Sequence, residues 1–142
     1  MSSYVKRSIT AESALVAAQG AVAKARQLGH AMTIVVSDEA GTVKVALRMD
    51  DASETTLRIA TDKAHTSATL GRPTHALWDF VKNDPPLLHG FAGYPRVVVF
   101  GGGYPIIEDG KVIGAVGVSG GHYSDDMEVA RAGLQAIGAP IG

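Results

Sequence analysis

The feature that most constrains the fold is a glycine-bounded hairpin over residues 101–121, "GGGYPIIEDGKVIGAVGVSGG". Its two apolar runs are joined across Asp109-Gly110, a dipeptide typical of two-residue hairpin turns. The pattern therefore predicts two neighbouring antiparallel strands with glycine clusters at their outer ends. Because ordering glycine costs conformational entropy, such clusters are kept where the backbone turns sharply or approaches another group closely. The clusters are expected to border either another strand or a ligand.

Apolar periodicity predicts two further strands and two helices before this hairpin. Alternating apolar residues favour strands in "AMTIVVS" and "TVKVALRM". Apolar residues at steps of three and four predict a helix over residues 10–28, with Thr10 as its N-cap and Gly29 just beyond its end. A second helix is predicted from the cap Ser53 to the stop at Gly71.

The remaining segments complete a single α+β domain over residues 1–142. The stretch "RVVVF" predicts a fifth strand, "NDPPLLHGFAGYP" is interpreted as a loop, and a final helix is predicted after a Ser124 cap. The predicted order is α-β-β-α-β-β-β-α, an antiparallel sheet of about five strands covered by helices.

Composition excludes several classes of protein. A chain with 46% hydrophobic and 19% charged residues is typical of a folded soluble domain, and no apolar run is long enough for a membrane span. A net charge of −1 argues against nucleic acid as a partner, and the lack of cysteine excludes disulfides and thiolate chemistry. No apolar signal segment follows the N-terminus, so a cytoplasmic location is expected.

The first candidate site is the turn Ser119-Gly120-Gly121, which ends a buried strand and leads into a helix start. Unpaired backbone N–H groups and the positive end of the helix dipole converge there, an arrangement that favours carboxylate or phosphate. The alternative is a plain tight turn whose helix dipole is satisfied by Asp125 and Asp126. The other cluster, residues 101–103, has a similar alternative in a wide hairpin or bulge.

The second candidate cluster lies in "RMDDASETT". Arg48, at a predicted strand end, has the geometry to hold a carboxylate bidentately, and Glu54 would serve as a general base if partly buried. The alternative is a solvated loop in which Glu54 only complements the helix dipole.

His122 is the most interesting of five histidines because it stands beside the glycine turn. Asp125 or Asp126 would orient its ring as an acid or base, whereas the alternative is a solvated surface histidine. None of the histidines has the spacing of a preformed metal site, so no metal is predicted.

Five motifs together resemble the GlcG/HbpS family, also called haem-degrading or DUF336, over roughly residues 8 to 138: "RMDDAS", "KAHTSATLGRPT", "GGGYPI", "GKVIGAVGVSGG" and "DDMEVARAG". That family includes the C-terminal domain of PduO-type corrinoid adenosyltransferases. The resemblance implies a profilin-like α+β fold with a five-stranded antiparallel sheet and frequent homo-oligomers. It also implies that haem or corrinoid is a possible ligand, since some members bind one or the other.

The resemblance and the local patterns together define the predicted site. His122 and Glu54 are the predicted catalytic residues. The predicted substrate-binding residues are Arg48, Lys63, Arg72, Gly101, Gly102, Gly103, Ser119, Gly120, Gly121 and Asp126.

Two functions of different classes follow from this site. The first is an enzyme that needs no cofactor and acts on a small anionic ligand, an unsaturated or imino carboxylate, by hydrolysis or proton transfer. The alternative is a haem- or corrinoid-binding protein in which His65, His89 or His122 ligates the metal. Its apolar slot would be supplied by Trp78, Phe80, Leu87, Leu88 and Phe91.

A homo-oligomer is also predicted, because small residues recur on the first and last helices and permit close backbone approach. They are Ala18, Ala21, Ala25, Ala132, Gly133 and Ala136. The alternative is that these faces all cover the sheet of a monomer.

Overall fold

A computed structural model describes residues 1–141, so the predicted domain boundary at residue 142 lies outside the described residues. The elements in chain order are α1 (Ala11–Leu28), β1 (Thr33–Asp38), β2 (Val43–Arg48), α2 (Glu54–Leu70), α3 (Thr74–Val81), α4 (Pro85–Ala92), β3 (Gly103–Glu108), β4 (Lys111–Ser119) and α5 (Tyr123–Ala136). The predicted α+β class is confirmed.

One antiparallel sheet carries the fold, with the strand order β2-β1-β4-β3. The predicted hairpin is β3-β4, which pairs from Gly103 with Gly117 to Glu108 with Lys111. Asp109 and Gly110 have φ values of 50° and 74°, as the left-handed turn between such strands requires. Because β4 also pairs with β1, β4 is an inner strand of the sheet and β3 is an edge strand.

The predicted fifth strand is wrong, since the sheet within residues 1–141 has four strands. The segment "RVVVF" instead attaches to α2 through Thr66, whose hydroxyl donates to the Arg96 carbonyl at 2.7 Å and accepts from Val98 N at 3.1 Å. Arg96 also has a φ of 68°, far from strand values. A side chain therefore takes the hydrogen bonds that a neighbouring strand would need. The profilin-like topology stays a prediction.

The helices α1 and α2 begin and end where the sequence predicts. The hydroxyl of Thr10 accepts from Ser13 N at 3.1 Å, and Gly29 ends α1 with a φ of 75°. The predicted Ser124 cap of α5 is wrong by two residues. The cap is His122, whose ring Nδ1 accepts from Ser124 N at 3.2 Å.

Two short helices, α3 and α4, occupy the stretch after α2. The predicted loop over residues 83–95 is wrong, because α4 begins there after Asp84, whose carboxylate accepts from Leu87 N at 3.4 Å. Pro85 at the first helical position is well suited to a helix start. α4 has only eight residues, "PPLLHGFA", which is too short for the apolar periodicity by which longer helices are predicted, and none of them is buried.

Helices cover both faces of the sheet. α1 and α5 pack on the face that carries Ile34, Val36 and Val118. α2 packs on the other face, against Val35 and Ala115, and its alanines allow its backbone to lie close to β4. The start of α5, the end of β4 and the start of β3 consequently meet near the middle of α2. None of the helices in residues 1–141 is long and apolar enough to cross a membrane.

Candidate functional site

A buried ion pair lies where these elements meet. Lys63 is fully buried on the sheet side of α2, and its Nζ donates to Asp126 Oδ2 at 2.9 Å and to the Val118 carbonyl at 2.8 Å. Asp126 is 3% exposed, and its Oδ1 accepts from Gly121 N at 3.0 Å. Each charged group is thus neutralised and hydrogen-bonded by the protein itself.

Burial acts on both members of the pair in the direction that opposes their charge. It lowers the pKa of Lys63 and raises the pKa of Asp126, while the opposite charge of the partner works against each of these effects. The two ionised forms are therefore compatible with the interior only as a pair. Removal of either side chain would leave a buried charge without compensation.

The predicted glycine clusters border this pair and the nearby backbone. Gly102 has a φ of 125°, and a Cβ there would lie 2.7 Å from Lys63 Nζ. A Cβ on Gly103 would lie 2.7 Å from the Lys63 carbonyl oxygen, and one on Gly120 would lie 2.8 Å from the Ala31 carbonyl oxygen. The close approach that requires glycine is therefore to the protein's own groups at these three positions.

The predicted anion site at the start of α5 holds side chains of the chain itself. Gly121 N–H is directed at the Asp126 carboxylate, and Ser124 N–H at the ring of His122. Ser119, at the end of β4, is buried and pairs with Thr33 of β1. These contacts match the tight-turn alternative at Asp126 but not at Asp125, whose carboxylate lies 2.9 Å from His30 Nε2.

Above the ion pair lies an apolar cleft of about 470 Å³, here called the aromatic cleft. Its lining residues are His75, Trp78, Val99, Phe100, Gly101 and Tyr123. The Phe100 ring centroid is 5.0 Å from Lys63 Nζ, so this ring separates the cleft from the buried pair. Trp78, Phe100 and Tyr123 are 44%, 45% and 48% exposed. A contiguous group of half-exposed aromatic side chains commonly marks a binding surface.

His75 is the titratable group of the aromatic cleft. Its Nδ1 is buried and has no hydrogen-bond partner among residues 1–141, and its ring centroid is 5.6 Å from that of Tyr104. Burial lowers the pKa of His75, with Asp79 acting in the opposite direction and Arg131 adding to the effect of burial. The imidazole is therefore neutral at neutral pH, which is the form that binds metals.

His122 lies beside the cleft wall. Its Nδ1 is 2.9 Å from Ser124 Oγ, and its ring centroid is 4.0 Å from that of Tyr123. Asp125, the first of its two predicted carboxylate partners, instead lies 2.9 Å from His30 Nε2. Asp126, the other, is engaged with Lys63.

Arg48 lies in a different depression. Its Nη1 donates to the Ala52 carbonyl at 2.7 Å, and it lines a cleft of about 350 Å³ together with Arg26 and Asp50. Within residues 1–141, no hydrogen bond joins Arg48 to the buried pair. The structure does not bring the two predicted clusters into contact.

Glu54 and Arg72 are also directed elsewhere. Glu54, largely exposed at the first position of α2, lies 2.9 Å from Arg58 Nε. The Arg72 guanidinium lies 4.8 Å from the ring centroid of Phe80. Neither residue lines the aromatic cleft.

The tetrapyrrole hypothesis anticipated Trp78 as a wall residue but not the rest of the cleft. The sequence places Phe100 in a predicted strand and does not single out His75 as a ligand. The signal that would have found His75 is its spacing of three from Trp78, which places both on one face of a helix. Of the predicted ligands, His65 packs beside Gly41, and His89 is exposed on α4.

Comparison with known proteins identifies the family. The model of the family described as "Haem degrading protein HbpS-like" matches residues 9–135. The chain belongs to the HbpS-like family. This confirms the resemblance that the sequence motifs carry.

Two curated bacterial proteins are relatives of this HbpS-like chain. It is 40% identical over 131 residues to an uncharacterized 15.0 kDa protein in the dhaT-dhaS intergenic region of Citrobacter freundii, covering 91% of this chain and 92% of that protein. It is 36% identical over 121 residues to the corrinoid adenosyltransferase PduO of Salmonella typhimurium. That match covers 84% of this chain but only 36% of PduO, so the chain spans about a third of that enzyme.

Two crystal structures share the fold of this HbpS-like chain. The Klebsiella pneumoniae protein ORFY, of the DUF336 family, superimposes with a TM-score of 0.92 at 31% identity, covering 99% of this chain and 98% of that one. The structure described as a PduOC:Heme complex gives a TM-score of 0.84 at 33% identity, covering 94% and 97%. The second is a relative of similar length with bound haem.

Proposed function

We propose that this HbpS-like protein binds haem in the aromatic cleft, with His75 as the ligand to the iron. The observation that carries the proposal is the combination of three half-exposed aromatic side chains with one neutral imidazole in a single cleft. A macrocycle needs broad apolar walls, and one imidazole suffices for an iron that the macrocycle already holds. The haem complex of the PduOC relative supports the same ligand class.

The residues that line the aromatic cleft fit haem. A cleft of about 470 Å³ lies within the ordinary range of small-ligand sites, roughly 300–1,000 Å³. Haem, when bound, supplies the iron and its redox chemistry. The chain would supply aromatic surface from Trp78, Phe100 and Tyr123, which excludes water, and a ring nitrogen of His75. Because burial lowers the pKa of His75, protons compete less for that nitrogen at neutral pH than they do in an exposed histidine.

The hydrolysis or proton-transfer hypothesis receives less support than this alternative. Its two predicted catalytic residues, Glu54 and His122, are engaged with Arg58 and Ser124 and do not contact each other. The relatives favour a tetrapyrrole ligand instead, by haem in the PduOC structure and by corrinoid in the name of the PduO enzyme.

The test is a titration of the purified protein with hemin, followed by the Soret band. The parent is expected to shift the band with one equivalent bound per chain. His75→Ala is expected to move the band and weaken binding by at least roughly tenfold, since loss of even a group that only supports a metal ligand typically costs that much. His89→Ala, at an exposed position on α4, is the matched control and is expected to bind like the parent.

Three results would change the assignment. An unchanged spectrum in His75→Ala would remove His75 as the ligand. A band lost in His122→Ala instead would assign the iron to His122 beside Tyr123. A parent that leaves the hemin spectrum unchanged contradicts haem binding, and a parallel titration with cobalamin then tests the corrinoid alternative.

A further inference from the structure

We propose that the Lys63–Asp126 ion pair is a positioning device that fixes the two walls of the aromatic cleft relative to each other, without itself touching the ligand. Both side chains were expected from the sequence to bind substrate, yet both are buried, and Lys63 Nζ lies beneath the Phe100 ring. The expected change in hemin affinity rests on the haem function proposed above, whereas the expected change in Trp78 emission does not.

The pair fixes the wall that Tyr123 provides. Lys63 extends from α2 and donates to the Val118 carbonyl near the end of β4. It also donates to Asp126 in the first turn of α5. Asp126 reaches back to Gly121 N, just before α5 begins. The first turn of α5, which carries Tyr123, is thereby tied to both α2 and the sheet.

The pair also fixes the opposite wall. The Phe100 ring lies over the Lys63 ammonium group at 5.0 Å, and Gly102 packs so closely that a Cβ would meet that group at 2.7 Å. Gly103 N in turn donates to Thr74 Oγ1 at 2.9 Å, at the start of α3. Residues 100–103 therefore connect the ion pair to the helix that carries His75 and Trp78.

Stability alone does not explain a pair in this place. Taking both charges out of water is costly, and apolar residues of similar volume often give equal or higher stability than a buried ion pair. An apolar pair, however, has no directional bonds to Val118 and Gly121. We therefore expect an apolar replacement of the ion pair to change the free energy of unfolding little. The walls of the aromatic cleft, however, would lose their fixed positions.

Trp78 makes the test independent of haem. It is the single tryptophan of the chain and lines the aromatic cleft, so its emission reports the cleft in the ligand-free protein. The variant is Lys63→Met/Asp126→Leu, compared by Trp78 emission, acrylamide quenching and hemin affinity. The matched control is Lys24→Met/Glu128→Leu, which removes a 3.2 Å ion pair between α1 and α5 at the surface.

The double variant at 63 and 126 is expected to unfold cooperatively near the parent's temperature. It is also expected to show altered Trp78 emission and quenching, and hemin binding weakened by roughly tenfold, the scale for loss of outer-shell partners. The control pair is expected to match the parent in all three. Parent-like emission together with parent-like hemin affinity in the double variant at 63 and 126 would overturn the proposal.

Two safeguards keep the outcome decisive. If the double variant does not fold, Lys63→Met/Asp126→Asn serves in its place, because it removes both charges together while the amide keeps the size of Asp126 and an oxygen to accept from Gly121 N. The same emission and affinity changes support the proposal, and their absence overturns it. If the parent itself fails to bind hemin, the haem function fails, while Trp78 emission in the ligand-free variants still decides the positioning role.

Discussion

The Lys63 side chain is fully buried, and its positive charge is compensated by the carboxylate of Asp126. We expect Lys63→Met to lower the free energy of unfolding at pH 7 by about 3–5 kcal/mol, the usual penalty for breaking a buried pair. Lys24→Met, which breaks a partly exposed pair, is expected to cost about 1 kcal/mol or less. Urea denaturation of the three proteins measures both effects.

The same variant has a pH signature. Without Lys63, only the hydrogen bond from Gly121 N opposes the burial that raises the pKa of Asp126, so the folded variant binds a proton more readily than the unfolded chain, whose aspartate titrates at about 3.9. The folded state gains relative stability as pH falls through that raised pKa. The penalty of Lys63→Met relative to the parent should therefore shrink between pH 7 and about pH 4, near the unfolded value. An equal penalty at both pH values would show that lost packing, and not the buried charge, is responsible.

At the scale of elements, Gly117 is where α2 and β4 come closest. A Cβ there would overlap the Ala60 carbonyl oxygen and meet Ala64 N at 2.6 Å, and both are backbone atoms that do not move aside cheaply. Gly117→Ala is therefore expected to lower the free energy of unfolding by about 1–3 kcal/mol, as overpacking does.

Gly90 in α4 is the matched control for this substitution. A Cβ there has nothing within 4 Å, and the residue is helical, so Gly90→Ala is expected to be neutral or to stabilise by up to about 1 kcal/mol. Thermal unfolding of both variants tests the pair. A Gly117→Ala variant as stable as the parent would mean that α2 shifts off β4 at little cost.

At the scale of the whole molecule, the small residues behind the predicted homo-oligomer prove to have an internal use. Gly20 of α1 lies against Ala136 of α5, and Gly133 lies against the Ala17 carbonyl. Ala18, Ala21 and Ala25 are fully buried within the chain. These positions bring α1 and α5 together, so an oligomer must be argued from other residues.

The homo-oligomer nevertheless stays a prediction, now based on the outer side of α1. Leu15 and Val16 are 45% and 44% exposed there. We expect light scattering at micromolar concentration to give a multiple of 14.7 kDa, and Val16→Glu to lower that mass if this side of α1 is the contact. A parent mass near 14.7 kDa would count against association.

The sequence by itself determined the family, the α+β class, the β3-β4 hairpin and the ends of α1 and α2. These depend on local chemistry: turn residues, caps and apolar periodicity act over a few neighbours. Where that chemistry was misleading, a long-range contact prevailed, as when Thr66 took the hydrogen bonds of the predicted fifth strand.

Only the tertiary structure decided what the candidate site is. Lys63 stands in an ordinary polar helix sequence, and its burial follows from which face of α2 meets the sheet and from a partner 63 residues away. His75 and Phe100 likewise share a cleft because α3 and the segment before β3 pack together. Burial and the pairing of distant side chains arise when elements pack. Burial lowers the pKa of His75 and makes the charges of Lys63 and Asp126 depend on each other.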